Sequence, residues 1–359
     1  MVANLYELVS NFFWKIINYI SAMKKLLVLS FIFPLLICGQ DGPFYFTHNN
    51  TQREYYLHIP NNLPANSPIV YVFHGWGGDG NGMMNYTAFN SLSDQFNFAV
   101  CYPTALIDGD GGNSGLTSWN TNGLSDVDFI HALNDALLIQ HLFDEDRIFA
   151  TGFSYGAEMC FHLSRCQNSN VIDAIAPLAG SIFNYMNICT PSTNISTLVL
   201  HGTNDNVINY NGGYFPNYGP YMSASDIVSD LVIYNSCVLD TSYSLFDLNN
   251  DNNLTDVIKY HNLSTGTKIW FYTVNNGSHS WFDVAPWGVD DFWASEEIWN
   301  FFSQIGSTTT SVNNTNQTIN DRYLVKIIDL LGRASNEIKN QPLLYMYSDG
   351  TVEKKIILE

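Results

Sequence analysis

The sequence predicts an α/β fold, a mostly parallel sheet flanked by helices, followed by a small β tail. Three observations carry this. Apolar runs of strand length recur along the chain, among them Pro68–Phe73, Arg147–Ala150, Thr197–Leu200 and Lys268–Val274. One of them leads directly into Gly152-Phe-Ser-Tyr-Gly156, and Ala157–Leu163 behind that motif reads as a helix. After Ile305 the composition turns polar and repetitive, and short alternating apolar runs follow.

Taken in order, the chain opens with a targeting segment. Met23-Lys24-Lys25 supplies a positive start, Leu26–Ile37 an apolar core, and Cys38-Gly39-Gln40 small residues near a cleavage point. That core is short for a membrane span. Residues 23–40 are therefore expected to be a signal peptide, and 1–22 an extension ahead of the true start at Met23. The competing reading of 1–22 is an amphipathic anchor over Leu5–Ile20.

The run Pro68–Phe73 ends in His74-Gly-Trp-Gly-Gly78, a glycine-rich turn after an early strand. A serine hydroxyl is a weak nucleophile, and a tight strand-to-helix turn with flanking glycines presents it to a histidine. Gly152–Gly156 has that context, so Ser154 is the expected nucleophile of an α/β-hydrolase fold. In such a fold the N–H groups of Trp76 and Tyr155 are placed to hold an oxyanion.

Acid and base follow the nucleophile in that order. Asp205 lies just past the strand Thr197–Leu200, where open α/β sheets build their sites. The aspartates of 247–253 read as a solvated loop. Of the histidines after Asp205, His279 follows a strand and a flexible Asn-Asn-Gly-Ser turn, whereas His261 reads as a surface residue. The expected triad is Ser154, Asp205 and His279. His201 is expected under the acid loop, and His74 as an anchor of the glycine-rich turn. Trp119, Trp281 and Trp287 either line the cleft as substrate-binding residues or pack in the core.

These residues also carry a family resemblance. With Arg53-Glu-Tyr-Tyr-Leu, Trp119-Asn, Asp126-Val-Asp-Phe-Ile, Ala176-Pro-Leu-Ala-Gly and Gly277-Ser-His-Ser-Trp, the chain from about 43 to 304 resembles the extracellular polyhydroxybutyrate depolymerase and feruloyl esterase family, a branch of carbohydrate esterase family 1. The resemblance implies an α/β-hydrolase fold, ester hydrolysis through an acyl-enzyme, and triad roles for Asp205 and His279. It also implies a disulfide between Cys166 and Cys189, and a free Cys237 whose usual partner position holds Asn262. Trp281 is followed by Phe282-Asp283, where family members often have Pro-Gly.

Composition narrows the partners. A formal charge of −19, from 33 acidic against 14 basic residues, argues against nucleic acid and polyanionic substrates. Cys101, in an apolar strand, and Cys160, on the helix after the elbow, read as buried thiols. No Cys/His spacing suggests a metal, and no cofactor fingerprint is present.

The expected organisation is a hydrolase domain over 41–305, a linker over 306–322 and a β domain over 323–359. With Leu331-Gly-Arg333 and a Lys-rich last strand, the tail resembles the C-terminal sorting domain of the type IX secretion system of Bacteroidetes. A small carbohydrate-binding module is the weaker alternative. The expected function is a secreted serine esterase acting on feruloyl or acetyl esters of polysaccharide or on small esters. A poly(3-hydroxybutyrate) depolymerase and, in another class, a non-catalytic surface binding protein are the alternatives. Oligomeric state is not legible.

Overall fold

The structure is a computed structural model that describes residues 41–166, 171–186, 189, 194–247, 253–283, 290–306, 324–329, 342–347 and 352–356. The stretches 1–22 and 23–40, Trp287, residues 307–322 of the expected linker, and Leu331–Arg333 lie outside the described residues. The chain divides into two compact units, one ending at Ser307 and the other beginning at Thr308.

In the first unit, ten strands make one sheet. They are β1 (Phe44–His48), β2 (Thr51–His58), β3 (Ile69–Phe73), β4 (Ala99–Pro103), β5 (Ile148–Phe153), β6 (Ala174–Leu178), β7 (Ser196–Gly202), β10 (Val238–Ser244), β11 (Thr255–His261) and β12 (Lys268–Val274). Their order is β1-β2-β4-β3-β5-β6-β7-β12-β11-β10. Pairing is parallel from β4 through β12 and antiparallel at both margins. Two short strands, β8 (Gly213–Phe215) and β9 (Gly219–Tyr221), form a separate hairpin.

The parallel strands read as unbroken apolar runs because both of their faces are covered. In β3, Ile69, Tyr71 and Phe73 join one buried cluster while Val70 and Val72 join the other. This is the two-residue alternation of a strand dividing its side chains between two cores. The first cluster packs under α3 (Ser125–His141), α4 (Tyr155–Cys166) and α5 (Ala224–Tyr234). The second packs under α1 (Gly80–Thr87), α2 (Phe89–Phe96) and α6 (Ala294–Phe302). The result is a sheet between two helical layers, the α/β-hydrolase fold.

Cys166, at the end of α4, forms a disulfide with Cys189, 23 residues on. Cys101, Cys160 and Cys237 are free and buried. No helix among the described residues is long and apolar enough to cross a membrane.

The second unit holds β13 (Leu324–Asp329), β14 (Pro342–Tyr347) and β15 (Val352–Ile356), an antiparallel sheet in that order. Leu343 and Tyr345 of β14 are buried on one face, two residues apart as a half-buried strand requires.

Candidate active site

The centre of the site is the junction of β5 and α4. Ser154 stands there with φ +56°, a left-handed backbone that costs a non-glycine residue energy. Its N–H donates to Leu178 O at 3.0 Å, and its carbonyl accepts from Ala157 and Glu158 N–H at 2.9 and 3.1 Å. Serine therefore begins the helix while its side chain points away from it. The turn passes so close to β3 that a Cβ on Gly156 would lie 2.1 Å from Phe73 O. Only glycine fits there.

Asp205 and His279 come from the loops after β7 and β12, neighbouring parallel strands. The two loops are bonded to each other: Thr203 N–H donates to Val274 O and Asn204 N–H to Gly277 O, each at 2.9 Å. A Cβ on Gly202 would lie 2.2 Å from Gly277 O, so glycine permits this approach. Held this way, His279 Nδ1 lies 2.7 Å from Asp205 Oδ2, and its Nε2 lies 3.0 Å from Ser154 Oγ. The carboxylate accepts only, so Nδ1 carries the proton and Nε2 is the bare acceptor facing the hydroxyl. Serine, imidazole and carboxylate thus form one hydrogen-bonded line.

The other oxygen of Asp205 is fixed by the backbone. Oδ1 accepts from Val207 and Ile208 N–H at 2.8 and 2.9 Å. Burial pushes the carboxyl up, but hydrogen bonds from His201, His279 and the Val207 N–H outweigh it and hold it well below the usual range. His201 is buried beneath the loop with Nε2 2.8 Å from Ile208 O and 3.3 Å from Asp205 Oδ2. His261 sits elsewhere, 3.3 Å from Asp240 on the sheet margin.

The glycine-rich turn is anchored from below. His74 Nε2 accepts from Ala105 N–H at 3.0 Å, which leaves the proton on Nδ1 to donate to Gly75 O at 2.6 Å. Burial lowers its pKa to about 4, so it stays a neutral strut at neutral pH. Gly77 N–H donates to Thr117 O and Gly78 N–H to Gly75 O. Among the described residues no protein acceptor takes the Trp76 N–H, and Tyr155, as the first residue of α4, has no intrahelical acceptor either. Both N–H groups belong to residues that line the cavity beside Ser154.

Two expected substrate residues are corrected. Trp119 is fully buried, its Nε1 donating to His74 O at 2.9 Å and its ring edge-on to Phe73. Trp281 is buried beside Phe89, its Nε1 donating to Ser295 Oγ at 3.0 Å. An indole whose one donor is satisfied internally has no need of the cleft. Trp119 instead supports the glycine-rich turn. The segment it belongs to is pinned by Asp126, which accepts from Asn120 N–H at 2.8 Å and pairs with buried Arg53 at 2.7 Å.

The cleft itself is an open cavity of about 1020 Å³ above Ser154 and His279. Its walls include residues the sequence did not single out, Tyr185, Tyr218, Phe183, Phe215 and Glu158, together with the Trp76 side chain, which is 53% exposed. The tyrosine-rich run Tyr210–Tyr221, which carries the β8–β9 hairpin, was the available signal. Tyr218 of that hairpin donates to Asp110 Oδ2 at 2.6 Å and closes one side of the cavity against the 106–118 loop. Among the described residues no group of three or more His, Cys, Asp or Glu side chains is arranged to hold a metal ion.

No protein-family model matches the chain. It is 29% identical over 177 residues to a bifunctional acetylxylan esterase/xylanase of Neocallimastix patriciarum, covering 48% of this chain and 25% of that protein. It is 28% identical over 260 residues to a probable feruloyl esterase C of Aspergillus niger, covering 71% of this chain and 85% of that one. An acetyl xylan esterase from Aspergillus awamori has the same fold at 16% identity, with a TM-score of 0.51 over 73% of this chain and 98% of its own. The fold is that of an α/β-hydrolase, the curated relatives it matches carry esterase names, and the chain spans about a quarter of the first of them.

Proposed function

We propose that the chain is a secreted serine esterase working through a Ser-His-Asp acyl-enzyme. The carrying observation is the continuous line from Ser154 Oγ through His279 to Asp205, at 3.0 and 2.7 Å. In this reading His279 Nε2 takes the hydroxyl proton as Ser154 attacks the ester carbonyl. Asp205 stabilises the imidazolium. The Trp76 and Tyr155 N–H groups receive the oxyanion. His279 then returns the proton to the leaving alcohol, and a water activated by His279 releases the acid from Ser154.

The proposed substrates are feruloyl- or acetyl-type esters, on polysaccharide or small alcohols. The esterase names of the relatives support this, as does an aromatic cavity much larger than the catalytic line needs. Hydrolysis of methyl ferulate, 4-nitrophenyl acetate and poly(3-hydroxybutyrate) granules by purified protein tests it, with Ser154→Ala as the control. The two small esters should be cleaved, and the variant should lose on the order of 10⁴-fold or more. Clearing of granules with neither small ester cleaved would instead make the enzyme a polyester depolymerase.

Residues 23–40 are proposed to direct export, and the unit holding β13–β15 to engage type IX secretion machinery. Support for the second is its sequence resemblance and a separate three-stranded sheet. Fractionating a host that has this machinery tests both, since deletion of the tail should leave the enzyme in the periplasm.

A further inference from the structure

The catalytic line uses no acid but Asp205, yet two other carboxyl residues, Asp110 and Glu158, line the cavity, and Glu158 is the one that follows Ser154 on its own helix. Glu158 lies four residues beyond Ser154, and its N–H donates to Ser154 O as in the first turn of a helix. Ser154 and Glu158 both line the cavity. The residue is 4% exposed. Among the described residues no cation pairs with it. Its neighbours are hydroxyls: Tyr185 Oη donates to Oε2 at 3.3 Å, and Thr121 Oγ1 lies 3.1 Å from Tyr185 Oη and 3.3 Å from Tyr155 Oη. This hydroxyl and carboxyl cluster shares the cavity lining with the aromatic rings of Phe183 and Phe215, while Asp110, Asn113 and Asn122 supply polar groups elsewhere in it.

We propose that Glu158 determines substrate specificity: its carboxyl, with the Tyr185 hydroxyl beside it, binds a hydroxyl group carried by the ester substrate. This rests on Ser154 being the nucleophile.

The chemistry of the patch favours that ligand over others. Burial pushes the Glu158 carboxyl well above the ordinary range, with the Tyr185 hydrogen bond opposing only in part. With its proton the carboxyl has one O–H to give and a carbonyl oxygen to accept, and without it two oxygens to accept, so it meets a hydroxyl in either state. A purely apolar group would leave the carboxyl and the tyrosine hydroxyl without partners, which is the arrangement that makes sites reject analogues lacking a hydroxyl.

The hydroxyl has two possible sources, a phenol or an aliphatic alcohol, and paired substrates separate them. Methyl 4-hydroxycinnamate is compared with methyl cinnamate, and methyl 3-hydroxybutyrate with methyl butyrate, as ratios of kcat/KM. Wild type should prefer the hydroxylated member of one pair by about tenfold or more, the effect of one net hydrogen bond of about 1.4 kcal/mol. Glu158→Gln keeps a donor and an acceptor and should keep the ratio. Glu158→Met should bring it to about one, and Tyr185→Phe should lower it severalfold with little change of shape. Using ratios cancels any general loss of folded enzyme. A wild-type ratio near one in both pairs overturns the proposal, as does a ratio that neither Glu158→Met nor Tyr185→Phe moves. If wild type cleaves none of the four esters but hydrolyses 4-nitrophenyl acetate, the proposal fails and the esterase reading survives. If it hydrolyses nothing, both fall.

Discussion

Replacing Asp205 by asparagine should silence the enzyme while leaving it folded, and the geometry says how. The amide has one acceptor and one donor end, and the site fixes which goes where. Two backbone N–H groups, of Val207 and Ile208, point at Oδ1 from 2.8 and 2.9 Å. Turning the amide round would set its NH₂ against both of them, so its oxygen stays on that side. The NH₂ then faces His279 Nδ1 from the place of Oδ2, 2.7 Å away, where a second donor cannot stay. The imidazole must shift its proton to Nε2, which now presents a hydrogen to Ser154 Oγ in place of a lone pair. General-base catalysis is lost, on the order of 10⁴-fold in kcat, or about 5.4 kcal/mol at 1.36 per factor of ten. Steady-state kinetics on 4-nitrophenyl acetate, with a thermal melt to verify folding, measures it. The pH dependence of stability gives a second readout. The carboxyl's pKa is depressed in the folded protein, so its contribution is present above the unfolded value of about 3.9 and is lost as pH falls through the lower folded value. The asparagine variant should lack this acid-dependent part. Retention of more than a tenth of wild-type kcat by Asp205→Asn would refute the assignment of Asp205 as the orienting acid.

Gly156→Ala should destabilise the protein by about 1–3 kcal/mol or more, read as a lower midpoint in urea, because its Cβ would meet Phe73 O at 2.1 Å. Cys166→Ser should cost about 3 kcal/mol through the 23-residue loop it opens, and wild type in reducing agent should melt like the variant. Removing residues 308–359 should leave kcat/KM on small esters within about twofold, since the described residues that line the cavity belong to the first unit.

Much of the fold was legible because the parallel strands are buried on both faces and so appear as uninterrupted apolar runs, β3 most plainly. Ser154, Asp205 and His279 were legible for a related reason. Each follows the end of such a run, and strand ends are where a parallel sheet exposes its loops. The substrate wall was not. Trp119 and Trp281 attracted attention as large aromatics, but sequence does not reveal that His74 O and Ser295 Oγ wait inside to take their N–H groups. Glu158 looked like an ordinary residue in the first turn of a helix. Its burial depends on Tyr185, from a distant short helical turn, and no local pattern encodes that meeting.

The hairpin β8–β9 contributes two short strands to no part of the main sheet, yet it supplies Phe215 and Tyr218 to the cavity. It leaves the chain after the acid loop and returns before α5, and its own register, Gly213 to Tyr221, closes it on itself. Selection can therefore rewrite this segment, in length or in sequence, without touching the strands that aim Ser154 and His279. The hairpin is the segment whose variation reshapes the cavity wall while the catalytic line stays in place.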